Sequence, residues 1–120
     1  MILVVDDSAL IRSLVTAALA QVNVQVCQAD SSASALRVCE RETINVVLLD
    51  VELDGENGLD ICARLKTCAK TAQIPIVLMS GYAEDEIGAL GMLYSPDYYL
   101  PKPFTLYEIQ CVVQQALRRG

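Results

Sequence analysis

Behind three short apolar runs and one weaker strand of this chain stand five side chains that could share one piece of chemistry. Asp6 and Asp7 follow the run at 2–5, and Asp50 follows the run at 46–49. Ser80, with Gly81 beside it, follows 76–79, and Lys102 follows 97–100 across Pro101. Gathered in one pocket, they would set three carboxylates against a hydroxyl and an ammonium. Crowded carboxylates raise one another's pKa unless a cation joins them. A hard, oxygen-seeking divalent ion meets that need, and Mg²⁺ is the cellular default. A hydroxyl and an ammonium beside such an ion make a clamp for the oxygens of a phosphoryl group. If Ser80 and Lys102 both point at Asp50, that acid is more than a ligand. A carboxylate so placed can be a nucleophile and become an aspartyl phosphate.

Gathering them requires elements that end at a common edge. The apolar runs at 2–5, 46–49 and 76–79 do not alternate, which fits strands buried on both faces. Weaker strands are expected at about 24–27 and about 97–100. Between them lie helical patterns. Residues about 8–21 carry Leu10, Ile11, Leu14, Val15 and Leu19 on one face behind a Ser8 N-cap. Ser31 or Ser32 caps a helix bearing Ala35, Leu36 and Val38 to about Arg41. Residues about 57–68 offer Leu59, Ile61, Cys62 and Leu65 inward. The pattern at about 84–93 is a poor helix, since Gly88 and Gly91 each cost about 1 kcal/mol relative to Ala. The last helix, about 105–118, opens on Thr105 with Glu108 three residues on, a capping box.

The order is β-α five times over, which predicts a doubly wound α/β fold with a five-stranded parallel sheet. In such sheets sites form at the carboxyl ends of the strands. With strand order 2-1-3-4-5, the second strand is at the edge and the four loaded strand ends are neighbours.

Composition excludes several classes. Hydrophobic residues make up 53% of 120 residues, which is enough for one packed core and argues against disorder. The formal net charge of −6, with no basic run beyond Arg118-Arg119, argues against direct nucleic-acid binding. The chain has no histidine, so any phosphohistidine donor must lie elsewhere. Five cysteines (27, 39, 62, 68 and 111) are odd in number and form no C-x-x-C pair, which leaves buried or half-buried free thiols as the expectation. No signal peptide, transit segment or long apolar span is visible, so a cytoplasmic location without membrane insertion is expected.

Along its whole length the chain resembles the response-regulator receiver domains of two-component phosphorelay signalling. The matching pieces are Val4-Val5-Asp6-Asp7, Leu49-Asp50, Gly58, Met79-Ser80-Gly81 and Leu100-Pro101-Lys102-Pro103-Phe104, at the family's spacings. From Ser80-Gly81-Tyr82 through Gly91 to Lys102-Pro103-Phe104 it looks most like receivers attached to hybrid sensor histidine kinases. The resemblance implies a flavodoxin-like (βα)5 fold and one receiver (phosphoacceptor) domain over 1–120. It implies Asp50 as phosphoacceptor from a histidine kinase or histidine phosphotransfer domain. It also implies Mg²⁺ held directly by Asp7 and Asp50, by Asp6 mostly through water, and by the Glu52 carbonyl. Ser80 and the Gly81 amide would bind phosphoryl oxygens, and Lys102 would pair with the phosphoryl group. Tyr99 falls at the family's aromatic switch position, with Ser80 as its partner in the switch. The Lys102-Pro103 bond is usually cis in the family.

Catalysis, on this reading, is limited to self-phosphorylation and autodephosphorylation. The alternative is a phosphorylation-independent interaction module with the same fold. A weak dimer is left open. The family often has Met-Pro at the fourth residue after the acceptor, where Leu53 is followed here by Asp54. Glu52 and Tyr82 occupy variable positions that tune the lifetime of the phosphoryl group. Asp50 to Gly55 imitates the start of a calcium loop, but the twelfth position is Ile61 rather than a bidentate Glu, which rejects it.

Overall fold

The computed structural model describes residues 1–53, 55–81 and 97–119. Its elements run β1 (Ile2–Val5), α1 (Ala9–Ala20), β2 (Val26–Ala29), α2 (Ser32–Arg41), β3 (Val46–Asp50), β4 (Glu52–Leu53), β5 (Glu56–Asn57), α3 (Gly58–Thr67), β6 (Ile76–Ser80), β7 (Tyr98–Pro101) and α4 (Leu106–Arg119). Five strands form one parallel sheet in the order β2-β1-β3-β6-β7. That is the expected 2-1-3-4-5 order once the short β4–β5 hairpin is set aside. The poor helix expected at about 84–93 lies outside the described residues.

The parity of the strands explains the two-layered core. Leu3, Val5, Val47, Leu49, Ile76 and Leu78 pack on one face with residues of α2 and α3. Ile2, Val4, Val46, Leu48, Val77 and Met79 pack on the other with residues of α1 and α4. With both faces covered, no polar residue is tolerated inside these strands until their carboxyl ends. Among the described residues no helix is long and apolar enough to cross a membrane.

The caps form largely as the sequence predicts. The Ser8 side chain accepts from the Ile11 amide, and Ser31, rather than Ser32, forms a reciprocal capping box with Ser34. Thr105 and Glu108 exchange bonds of 3.1 and 3.0 Å.

Three expectations change. The second strand runs Val26–Ala29 rather than 24–27. The chain leaves α1 by a turn in which Asn23 takes a φ of 61°. The Val24 and Asn23 amides donate to the carbonyls of Leu19 and Ala20 at 3.0 and 3.1 Å. This paired closure of a helix end holds Val24 against the core before any strand can start. Leu10 does not face inward but is 77% exposed, because it shares the outward face of α1 with Ser13, Ala17 and Ala20 rather than the stripe of Val15, Ala18 and Leu19. The β4–β5 hairpin was not expected; Gly55, with a φ of 70°, lies between its two strands.

Candidate functional site

The four loaded strand ends do meet. Asp6 is fully buried, Asp50 is 3% exposed and Ser80 1% exposed, while Asp7 is open to solvent. Carboxylate oxygens of Asp6, Asp7 and Asp50 all lie within 4.8 Å of one another. The Lys102 ammonium reaches into the group, 3.2 Å from Asp6 Oδ2 and 3.3 Å from Asp50 Oδ1.

Each side chain is aimed by its own backbone. Asp6 Oδ1 accepts from the Ser8 amide at 2.9 Å, which ties its rotamer to the N-cap of α1. Asp50, the last residue of β3, accepts at Oδ1 from the Glu52 amide at 3.2 Å. Lys102 is placed by its amide, which donates to the Ser80 carbonyl at 2.7 Å. The Lys102-Pro103 peptide that follows is cis. Gly58 is forced by close approach: a Cβ there would stand 1.9 Å from the Asp50 carbonyl oxygen. Its amide donates to the Val51 carbonyl at 2.8 Å, fixing α3 directly behind the Asp50 loop.

The electrostatics follow from this crowding. Burial, then the neighbouring Asp6 charge, push the Asp50 carboxyl up to about 6. Lys102 and the Glu52 amide pull the other way and do not balance them. Burial by itself would lower the Lys102 pKa, but the attraction of Asp50 and Asp6 outweighs it and the ammonium is held more firmly than usual. One ammonium thus serves two buried acids with a third alongside. That oxygen-rich, under-neutralised set suits a hard divalent cation.

The other expected residues lie around this group. The Glu52 side chain is exposed and only its amide reaches Asp50. Gly81 is exposed with open space around it. Tyr99 is half-buried and packs on the α2/α3 side of the sheet, whereas Tyr98 packs on the side of α4. Tyr82 lies outside the described residues. Sequence reasoning missed Arg12, whose guanidinium donates to the Asp6 carbonyl at 2.7 Å and to Gln28 Oε1 at 3.1 Å. Its only signal was a cation one turn into α1. Also missed was Asp97, which accepts from Lys66 at 2.6 Å and from the Ile76 amide at 2.8 Å at the far end of the sheet.

Comparison with known proteins agrees with this geometry. The family described as response regulator receiver domain matches residues 2–114. The phosphate regulon transcriptional regulatory protein PhoB of Pseudomonas aeruginosa is 31% identical over 118 residues, covering 98% of this chain and 52% of the relative. PhoB of Klebsiella pneumoniae is 34% identical with the same coverage. The chain therefore spans about half the length of these curated relatives. The receiver domain of NtrX from Brucella abortus superposes with a TM-score of 0.91 at 28% identity, over 100% of both chains. The chemotaxis protein CheY4 of Vibrio cholerae shares the fold, with a TM-score of 0.90 at 23% identity over 97% of each chain. By name, PhoB is a transcriptional regulatory protein, CheY4 a chemotaxis protein, and the NtrX structure is that of a receiver domain. They give no support to the narrower likeness to receivers of hybrid sensor histidine kinases, and that expectation is dropped.

Proposed function

The chain belongs to the response regulator receiver domain family, and we propose that it accepts a phosphoryl group from a phosphohistidine onto Asp50 and changes conformation in response. The observation that carries this reading is the triad of carboxylates within 4.8 Å with the Lys102 ammonium between Asp6 and Asp50. The donor would be a histidine kinase or histidine phosphotransfer domain, since this chain has no histidine of its own.

A carboxylate oxygen of Asp50 attacks the phosphorus, the new O–P bond forms, and the bond to the donor nitrogen breaks. The amide of Glu52 and the Lys102 ammonium hold the carboxylate in place before the attack. As negative charge leaves Asp50 for the phosphoryl oxygens, Lys102 turns its attraction toward them. The Ser80 hydroxyl and the Gly81 amide, at the end of the adjoining strand, bind the remaining oxygens. Asp6, Asp7, Asp50 and the carbonyl of Glu52 would hold Mg²⁺, which when bound neutralises the acids and lets an anionic donor approach. The Ser80 hydroxyl and the Tyr99 ring then report the change along β6 and β7.

Exposure to acetyl phosphate or phosphoramidate, read by intact mass, tests the proposal. The expected result is a single phosphoryl adduct that requires Mg²⁺, vanishes in chelator and is lost in Asp50→Asn. Equal labelling with chelator, or acid-stable label retained in Asp50→Asn, would overturn it.

A further inference from the structure

The corner between Asp6 and Asp7 is held from outside the acid pocket by side chains that the phosphoryl chemistry does not touch. Arg12, one turn into α1, donates from Nη1 to the Asp6 carbonyl at 2.7 Å and from Nε to Gln28 Oε1 at 3.1 Å. Gln28, on the edge strand β2, donates from Nε2 to Thr16 Oγ1 at 3.0 Å. The Thr16 hydroxyl donates in turn to the Arg12 carbonyl at 2.8 Å, which closes the circuit between α1 and β2. All of these polar groups serve one another and a single backbone carbonyl of the pocket.

That carbonyl matters because it shares one rigid peptide plane with the Asp7 amide. Asp6 itself is fixed without Arg12: its amide donates to the Ala29 carbonyl at 3.1 Å, and its Oδ1 accepts from the Ser8 amide at 2.9 Å. Asp7 has no such support. Its side chain is open to solvent, and among the described residues none is hydrogen-bonded to its carboxylate. The aim of Asp7 is therefore set by the peptide before it, and Arg12 is the side chain that holds this peptide.

We propose that Arg12 is a positioning residue for the divalent-cation site. By fixing the Asp6-Asp7 peptide it keeps the exposed Asp7 carboxylate beside Asp6 and Asp50, and Gln28 and Thr16 keep Arg12 in that pose. The inference rests on the receiver reading above, in which Asp7 would be a direct Mg²⁺ ligand. A guanidinium suits the task because its planar fork meets two acceptors at once. Its charge alone predicts the opposite effect. A cation near the site repels Mg²⁺, so deleting it by Coulomb's law tightens metal binding, whereas releasing the peptide weakens it.

Calorimetric titration of the chain with MgCl₂ reads this sign directly. Arg12→Met keeps the aliphatic stem and removes the fork. Its Mg²⁺ affinity should fall about tenfold, the lower end of what loss of an outer-shell partner costs, because Arg12 is half-exposed. Labelling of Asp50 by acetyl phosphate should slow at low Mg²⁺ and return to the parent rate at saturating Mg²⁺, since Asp50 and Lys102 are untouched. Gln28→Leu leaves the guanidinium and its charge in place and should show a smaller loss of the same sign. It carries the test if thermal melts show Arg12→Met to be unfolded. Unchanged or tighter Mg²⁺ binding in the folded variant, with or without a lowered melting temperature, would overturn the inference. So would slow labelling that saturating Mg²⁺ does not restore. Absence of Mg²⁺ binding in the parent would overturn the metal site of the receiver reading, and this inference with it.

Discussion

The protonation of Asp50 is set by its surroundings. Its carboxyl sits near 6 because burial and then Asp6 disfavour its charge more than Lys102 and the Glu52 amide favour it. The folded chain therefore binds that proton more tightly than the unfolded chain. The resulting stabilisation is fully present below the unfolded value of about 4 and is lost as pH rises through about 6. In chelator, this group should lower the unfolding free energy across that window by on the order of 1–2 kcal/mol, after discounting for solvent at the pocket mouth. Urea melts of the parent and of Asp50→Asn isolate the contribution, because the other carboxylates are common to both. Parallel pH profiles would refute it. Lys102→Ala acts at the same residue scale. It leaves the fully buried Asp6 and Asp50 with no ammonium partner, so labelling of Asp50 by acetyl phosphate should slow by about tenfold, ~1.4 kcal/mol of barrier. An unchanged labelling rate would show that the lysine does not act on the phosphoryl group. These acids and Ser80 were legible in the sequence because each is a polar residue behind an unbroken apolar run, and Lys102 because it follows a short strand-like segment across Pro101. Arg12 was not, because a cation on the first turns of a helix looks like any solvated side chain until the Asp6 carbonyl is seen 2.7 Å away.

At the scale of elements, the buried strands were the easiest to read. Both faces of β1, β3 and β6 are covered, so the sequence has no freedom to be polar there. The edge strand β2 is half-exposed, and its start was misplaced because the closing turn of α1 holds Val24 as a helix-end contact. Leu10 misled because it borders the apolar stripe of α1, falling in line with the exposed Ser13 and Ala17 rather than with the buried Val15, Ala18 and Leu19. Gly58 shows an element positioned by what it lacks. The Cβ of Gly58→Ala would meet the Asp50 carbonyl oxygen at 1.9 Å, and main chain cannot swing aside as a flexible side chain can. The start of α3 or the Asp50 loop must then move, costing about 2–3 kcal/mol. The control is Gly81→Ala, where nothing lies within 4 Å of the added carbon and the amide is kept. Thermal melts should show a clear loss for the first variant and little change for the second. Equal melting temperatures for Gly58→Ala and the parent would mean that the close approach relaxes without cost.

For the molecule as a whole, charge separates what this chain can do from what its relatives are named for. PhoB is a transcriptional regulatory protein about twice the length matched here. This chain carries nine basic and fifteen acidic residues. Two of the cations are already committed, Lys102 to the acid pocket and Lys66 to Asp97. Arg12 is spent on the Asp6 carbonyl and Gln28. Affinity for duplex DNA comes largely from neutralising phosphates and releasing their counterions, and that needs several free cations on one surface. The remaining basic groups are spread over α2, α3, the segment after α3 and the end of α4, and are interleaved with Glu40, Glu42 and Asp60. The isolated chain should therefore show no measurable affinity for mixed-sequence duplex DNA, even at about 50 mM salt, where such binding is strongest. Phosphorylation should not create it, since a phosphoryl group adds negative charge. Fluorescence anisotropy with a labelled duplex, before and after acetyl phosphate treatment, checks both statements. A saturable, salt-sensitive rise in anisotropy in either state would mean that the scattered cations form a working surface after all, and that recognition of nucleic acid can reside in these 120 residues.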